Sequence, residues 1–397
     1  MKILFCSRWF PYPPDNGSKI RIFNLIKQLS LSHEVDLISF TSEALIDESL
    51  ETMSDYCRQV KVVPYRSFEP KRLTALAGFF SMQPRSVIDT YSDEFQMLVE
   101  QAARQHKFDL VIASQIDMVR YVLALPYLPK IFEEIELTIF YEQVVKEQNP
   151  LKKLRSWLTW WKLSQFVRSF LASFSGCTVV SEVERTQILQ VTPGYKPIAV
   201  IPNGVDLNHH LATFGPPVAD TLVYSGALTY GANFDAMDFF LREIFPLIQA
   251  QRPQVKLYIT GKLNGVPVNR LPSNNGVIFT GYLNDIRPQV AQSWVSIVPL
   301  RFGGGTRLKV LESLALGTPV VATSKGAEGL DLVAGKDLLI AVEPADFAAA
   351  VLRLLQEAAL RDMLSGNGRQ AVKKYDWQTI GQSFCNFVER VAVGAGS

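Results

Sequence analysis

The residues best suited to chemistry lie close together: Gly303, Gly304, Gly305, Thr306, Arg307, Lys309 and Glu312. Consecutive glycines let a backbone approach a ligand closely, because no Cβ stands in the way and left-handed conformations cost them little. A helix starting just after them turns free N–H groups and the positive end of its dipole toward the loop. Thr306 is expected to cap that helix, Arg307 to offer a planar fork to phosphate oxygens, and Lys309 to add a point charge. Phosphate is the guest such a set suits. The spacing is neither G-x-x-x-x-G-K-[ST] nor G-x-G-x-x-G, so neither the P-loop nor the dinucleotide fingerprint applies. Glu312 can accept two hydrogen bonds from a ribose diol; the alternative is a surface carboxylate serving the helix dipole or pairing with Lys309.

A second loop of this kind stands near the start, at Asn16-Gly17-Ser18 before a helical pattern from Ile20 to Leu29. Its amides suit an anion or a sugar hydroxyl, and its plain alternative is a turn with an N-cap. The segment Leu151 to Leu171 is of another type. It carries Lys152, Lys153, Arg155, Lys162 and Arg168, no acid, and Trp157, Trp160 and Trp161. Basic charge beside interfacial aromatics fits a helix lying on an anionic membrane; a long helix packing its aromatics inward with its charges in water fits equally. A second basic segment, Arg66 to Arg85, holds Phe79, Phe80 and Met82.

These loops need a scaffold, and the alternation of apolar runs supplies it. Strand-like runs are Lys2–Cys6, Val35–Phe40, Gln59–Pro64, Leu110–Ala113, Lys130–Phe132, Cys177–Val180 and Ile198–Ile201, then Leu222–Ser225, Lys256–Thr260, Val277–Thr280, Val295–Val298, Pro319–Ala322 and Leu338–Val342. Helical patterns fill the gaps, which means α/β architecture with parallel sheets covered on both faces. Thirteen strands in one open sheet would be unusual, so two Rossmann-like domains are expected. The seam falls at Ile201-Pro202-Asn203-Gly204-Val205-Asp206, followed by a polar linker from Asn208 to Pro217. In such sheets ligands bind beyond the carboxyl ends of the strands, where both glycine loops lie.

Composition narrows the function. The 397 residues hold 40 Lys plus Arg and 38 Asp plus Glu, a net charge of +2 that gives no bulk field for nucleic acid. With 48% hydrophobic and 20% charged residues, the chain is globular rather than disordered. Cys6, Cys57, Cys177 and Cys385 form no C-x-x-C pair, so neither a zinc knuckle nor a disulfide framework is suggested, and a cytoplasmic location is expected. No signal-peptide core and no run of about 18 apolar residues for a spanning helix is found.

In this order, the Gly17 loop, Val179-Val180-Ser181-Glu182, Ile201 to Asp206, Phe279-Thr280-Gly281-Tyr282, Gly303 to Glu312, Gly317-Thr318-Pro319-Val320-Val321-Ala322 and Tyr375-Asp376-Trp377 resemble retaining GT-B glycosyltransferases of glycosyltransferase family 4. The resemblance implies two Rossmann-like domains facing across a cleft: an acceptor-side domain 1–202 completed by a terminal helix 377–397, and a nucleotide-sugar domain 203–376. It implies a nucleotide-diphospho-sugar donor, with Glu312 on the ribose, the Gly303–Thr306 amides on the diphosphate, and Asn16, Gly17, Ser18 and Gly226 in the substrate site. It implies no metal and no cofactor, because cationic side chains and helix N-termini carry the charge.

The chain departs from the family pattern in three places. Gly304 stands where the first of two glutamates usually lies, and the turn Ser225 to Asn233 lacks the usual Arg and Lys. Arg307 and Lys309 are expected to take over the diphosphate, as in a subgroup with a Gly-Gly-Thr-Arg-Leu-Lys loop. His33, His106, His209 and His210 do not fit the family's first-domain His and read as surface or turn residues. Instead one of Glu133, Glu134 and Glu136 is expected to orient an acceptor hydroxyl or act as base, with Glu134 set beside Arg307 and Lys309 as catalytic; a solvated acidic turn is the alternative. The function implied is sugar transfer to a glycan or lipid-linked acceptor in polysaccharide or glycoconjugate biosynthesis. A peripheral seat on the inner face of the cytoplasmic membrane follows if 151–171 meets lipid. A catalytically silent sugar-nucleotide-binding protein and a GT-B epimerase are the competing readings.

Overall fold

The computed structural model describes residues 1–42, 47–210 and 214–394. Residues 211–213 of the expected linker and 395–397 of the expected terminal helix thus lie outside the described residues. Packing divides the chain into Met1–Asn203 with Gln378–Ser397, and Gly204–Trp377.

The first unit holds β1 (Lys2–Ser7), β2 (Glu34–Thr41), β3 (Gln59–Pro64), β4 (Leu110–Ser114), β5 (Lys130–Glu133), β6 (Gly176–Val179) and β7 (Ile198–Val200). They form a parallel sheet in the order β3-β2-β1-β4-β5-β6-β7. The second unit holds β8 (Val218–Ser225), β9 (Lys256–Thr260), β10 (Val277–Gly281), β11 (Ser293–Val298), β12 (Val320–Ala322) and β13 (Leu339–Ile340). These are also parallel, in the order β10-β9-β8-β11-β12-β13. Every run read as a strand is one, because strands covered on both faces must be apolar throughout. All of β4, and β1 after Lys2, are buried. Strand order reverses beside β1 and beside β8, and there the carboxyl ends leave a crevice for a ligand.

The helix Trp377–Gly394 belongs to the first unit. It buries Phe384, Phe387 and Val388, and Gly381 lies so close to Gln28 that an added Cβ would stand 2.1 Å from its Cγ. Of the histidines, His33 is less superficial than expected: its side chain is 6% exposed, with Nε2 3.3 Å from Glu389 Oε1. His209 and His210 end the short helix Leu207–His210, where the His209 N–H donates to Asp206 Oδ1 at 3.0 Å.

The first unit is pinned by Arg21, on the helix Gly17–Leu29, which is fully buried. Its Nε donates to Glu133 Oε1 at 2.5 Å, and Nη1 donates to Ile201 O at 2.8 Å and Asn203 Oδ1 at 3.0 Å. Glu133 Oε2 accepts from Ser114 Oγ at 2.7 Å. One guanidinium therefore ties the first helix, the ends of β4 and β5, and the Ile201-Pro202-Asn203 turn. Losing one partner of a buried pair strands the other charge. Arg21→Met is expected to destabilise the protein by about 3–5 kcal/mol in urea unfolding, whereas Arg21→Met with Glu133→Gln recovers part of the loss. Wild-type stability in the single variant would show that the pair carries no such burden.

Candidate functional site

Three loops meet at the carboxyl ends of β8, β9 and β11, and glycines permit it. Gly261 has φ 125°, and a Cβ there would stand 2.7 Å from Ala227 N and Gly226 O. Gly226 has φ 152°, and its Cβ would stand 2.8 Å from Lys309 Nζ. Gly303, with φ 111°, begins the third loop, which leads into the helix Leu308–Leu316.

Arg307 is 5% exposed and turns inward, correcting the expectation that its fork lies open to phosphate. Nη2 donates to Gly303 O at 2.7 Å, Nη1 to Gly304 O at 2.8 Å, and Nε to Lys325 O at 3.0 Å. Within one peptide plane C=O and N–H point opposite ways. Pinning the Gly303 and Gly304 carbonyls inward therefore turns the N–H groups of Gly304 and Gly305 outward. Neither amide donates to another described residue. Such successive amides form an anion-binding concavity. Arg307 thus shapes the backbone that presents these amides. Thr306 is likewise not the cap: Arg307 occupies that position, with no side-chain capping bond.

Lys309 stands where the cation missing from the Ser225–Asn233 turn would be needed. Its Nζ donates to Tyr224 Oη at 2.9 Å and Asn233 Oδ1 at 3.0 Å, and lies 4.2 Å from the centre of the Tyr224 ring. Asn233 is held in turn by Tyr224 Oη at 2.8 Å and by the Ala227 carbonyl at 2.9 Å. Burial, with Arg307 nearby, lowers the ammonium pKa to about 7, against the pull of Glu312. Glu312 is half-buried, and burial raises its pKa while Lys309 opposes the rise. The glycine amides, Lys309 and Glu312 are thus brought together in one unit.

The other candidates lie in the first unit. Asn16 caps the helix Gly17–Leu29, accepting from Lys19 N at 3.1 Å, and Ser18 reaches a cavity of about 1020 Å³ at the ends of β1, β4 and β5. Glu134 and Glu136 line that cavity; Glu133 is spent on Arg21 and Ser114. Glu134 has φ 65°, and its Oε2 accepts from Gln115 Nε2 at 3.3 Å, Gln115 itself having φ 72°. Two side-chain-bearing residues in left-handed conformations, bonded at adjacent strand ends, mark a place where the fold sustains strain. Burial and then Glu133 hold the Glu134 carboxyl well above the usual carboxylate range, and Arg21 opposes this. The sequence reading missed Arg8, Tyr65, Gln115 and Asp117, which line the same cavity. Position directly after β1 and β4 was the available signal for Arg8 and Gln115.

Residues 219–357 match the family model for glycosyl transferases group 1. The chain is 20% identical over 374 residues to an uncharacterized 44.6 kDa protein in the cps region of Klebsiella pneumoniae, covering 88% of this chain and 90% of that one. It is 28% identical over 214 residues to the phosphatidyl-myo-inositol mannosyltransferase of Mycobacterium tuberculosis, covering 50% of this chain and 55% of that one. Among solved structures, Anabaena HepE in complex with UDP and glucose superposes with a TM-score of 0.66 at 16% identity, covering 98% of this chain and 100% of the other. WaaG, a glycosyltransferase involved in lipopolysaccharide biosynthesis, gives 0.66 at 14% identity over 97% and 99%. The solved structures carry the fold alone, and the family match carries the activity class. Together they support a GT-B fold whose residues 219–357 resemble glycosyl transferases group 1.

The half-buried lysine gives this site a pH signature. A bound dianion favours the ammonium, so binding takes up a proton wherever free Lys309 is partly neutral, and affinity falls as pH rises above about 7. Between pH 7.5 and 9 the terminal phosphate of a nucleoside diphosphate stays ionised. Calorimetry over that range is expected to show weakening toward a limit of about tenfold per pH unit, with a heat that depends on the buffer. Lys309→Met should flatten the profile, and a pH-independent wild type would remove Lys309 from the anion's neighbourhood.

Proposed function

We propose that the chain is a retaining glycosyltransferase that moves a sugar from a nucleotide-diphospho-sugar onto a glycan or lipid-linked acceptor. The observation that carries this is the pair of outward amides at Gly304 and Gly305, with Lys309 beside Gly226 in the same loop cluster. A diphosphate on those amides lies within the field of the lysine, and Glu312 takes the ribose hydroxyls. The bond from the anomeric carbon to the diphosphate oxygen breaks as the acceptor hydroxyl attacks from the same face. The acceptor's proton passes to the departing oxygen, so retention needs no strong base. Charge grows on that oxygen, and fixed donors aimed at it lower the barrier. Glu134, at the carboxyl end of β5, positions the acceptor hydroxyl in the first unit.

HepE's structures with UDP and UDP-glucose make uridine diphosphate sugars the first donors to test. UDP is expected to raise the melting temperature, as a ligand that binds only the folded state must. Glu312→Ala should weaken UDP by about 1.5–3 kcal/mol, the range for a hydrogen bond to a charged group. Proton NMR of the product should show the donor's anomeric configuration kept. An inverted product would refute retention, and nucleotide binding without turnover on any acceptor would favour the silent binder.

The helix Pro150–Leu171 supports a membrane seat. Its C-terminal half buries Leu163, Phe166, Val167 and Phe170, while Leu151, Leu154, Trp157, Leu158 and Trp161 stay exposed beside Lys152, Lys153 and Arg155. No described helix is long and apolar enough to cross a membrane, so contact would be interfacial. Reversing Lys152, Lys153 and Arg155 to Glu should abolish sedimentation with anionic vesicles at low salt and spare UDP binding, with the wild-type signal fading as salt screens it. Wild type that ignores such vesicles would sink the membrane reading.

A further inference from the structure

The cavity of the first unit is amphiphilic in layout. At the strand ends it is lined by Arg8, Gln115, Asp117 and Glu134, and away from them by Leu154, Leu158, Leu163, Val167 and Phe170. Its volume of about 1020 Å³ stands at the upper end of small-molecule sites. Leu151, Leu154, Leu158 and Phe79 both line it and are 80%, 54%, 44% and 56% exposed, so its mouth lies between the helix Pro150–Leu171 and the Phe79 loop. Lys162 Nζ ties that loop to the helix through Phe79 O at 2.7 Å and Ser81 O at 3.1 Å. A sugar alone would leave this leucine and phenylalanine wall without polar work. A hydrocarbon chain fills it and removes apolar surface from water.

The polar end carries a cation with capacity to spare. The Arg8 guanidinium carbon lies 3.0 Å from the Tyr65 ring centre and 4.1 Å from that of Trp9, and its Nε is 4.0 Å from Asp117 Oδ2. The residue is 8% exposed, and its buried Nη1 has no hydrogen-bond partner. Gln115 Oε1, on the same wall, is also buried without a partner. Buried donors left unpaired are costly and rare. Of the other cations lining it, Arg85 is spent on Ala75 O and Pro70 O, Lys162 on Phe79 O and Ser81 O, and Arg155 is exposed to solvent. Asp117, Glu134 and Glu136 set the acidic side.

We infer that this cavity binds a long-chain phosphate, with the chain along the Leu154–Phe170 wall and the phosphate on Arg8 Nη1. A guanidinium lying over two aromatic rings has a planar fork that suits phosphate geometry. Naming that amphiphile as the acceptor, with its sugar toward Glu134, rests on the glycosyl-transfer reading; the site itself does not.

The test is calorimetry of the full chain with decyl phosphate below its micelle concentration, against decanol and inorganic phosphate. Decyl phosphate is expected to bind at least about tenfold tighter than either, the ratio one charge-assisted hydrogen bond is worth. Arg8→Gln should remove the advantage over decanol. Thr159→Trp, from an exposed position on the wall, should weaken decyl phosphate while UDP still raises the melting temperature, which shows that the variant is folded. Geranyl phosphate, of equal carbon number, separates an isoprenoid from a straight chain, and tighter binding of either upholds the site. Decyl phosphate binding no tighter than inorganic phosphate, or unchanged in both variants, overturns it. Decyl phosphate binding by a chain that transfers no sugar would sink the glycosyl-transfer reading and leave this site standing; sugar transfer without such binding does the reverse.

Discussion

A guanidinium buried at the carboxyl end of each sheet must find acceptors for its N–H groups, and that requirement shapes both crevices. Arginine stays charged and its fork is planar, so burial costs several kcal/mol unless oxygen atoms surround it. In the first unit Arg21 finds them for Nε and Nη1 on Glu133, Ile201 and Asn203, while its buried Nη2 has no hydrogen-bond partner among the described residues. In the second, Arg307 takes the carbonyls of Gly303, Gly304 and Lys325. Each recruits backbone or turn oxygens that would otherwise face solvent, and fixes the loop supplying them. The outward amides at Gly304 and Gly305 are the reverse side of that demand. Glycine suits Gly303 and Gly305, whose φ angles of 111° and 77° are ones that residues with a side chain rarely adopt.

The fold was legible in the sequence because parallel strands covered on both faces are apolar throughout, and short runs such as Leu110–Ala113 have no other economical reading. The glycine loop was legible for the same local reason. Orientation was not. Arg307 and Lys309 stand two residues apart on a helix start, and nothing in their types says which turns inward. The structure gives the inward place to the residue with several donors and several carbonyls within reach, and leaves the lysine beside Gly226. Glu133 and Glu134 were equally indistinct. Glu133, the last residue of β5, bonds Arg21 at 2.5 Å, while Glu134 stands 3.9 Å from the same Nε and also lines the cavity, an arrangement set by register against β4 and by the positive φ at Glu134. Gln115, the partner of Glu134, lies 19 positions away in sequence and becomes a neighbour only through strand pairing.

Lysine rather than arginine beside Gly226 matters for the chemistry. An ammonium can shed its proton when desolvated, whereas a guanidinium cannot. Lys309, bonded to the neutral oxygens of Tyr224 and Asn233, faces no carboxylate of the described residues within ion-pair distance, and Glu312 acts on it only from farther off. With its pKa lowered to about 7, Lys309 is about half charged at neutral pH, and on the proposed reading an arriving diphosphate would favour the charged form. The cation is then strongest when the anion is present. Arg8 represents the opposite solution: aromatic faces on two sides and Asp117 at 4.0 Å leave it charged yet short of one partner.

The helix Pro150–Leu171 shows why composition alone left its role open. Its basic and aromatic content is the same on either reading, and only position along the helix separates them. The C-terminal half is a core element, since Phe166 and Phe170 pack against each other at 5.3 Å and Phe170 against Phe132 at 4.9 Å. The N-terminal half repeats apolar residues at Leu151, Leu154 and Leu158, one stripe of a 3.6-residue period, over the cavity mouth rather than over core. A stripe that covers an opening serves two surfaces at once: its inner edge walls the cavity together with Arg155, and its outer edge with Lys152 and Lys153 lies outside that lining. An amphiphile drawn from a lipid surface could then enter between Leu151 and Phe79 without its chain crossing water, so the exposed leucines and the buried Arg8 become two ends of one path.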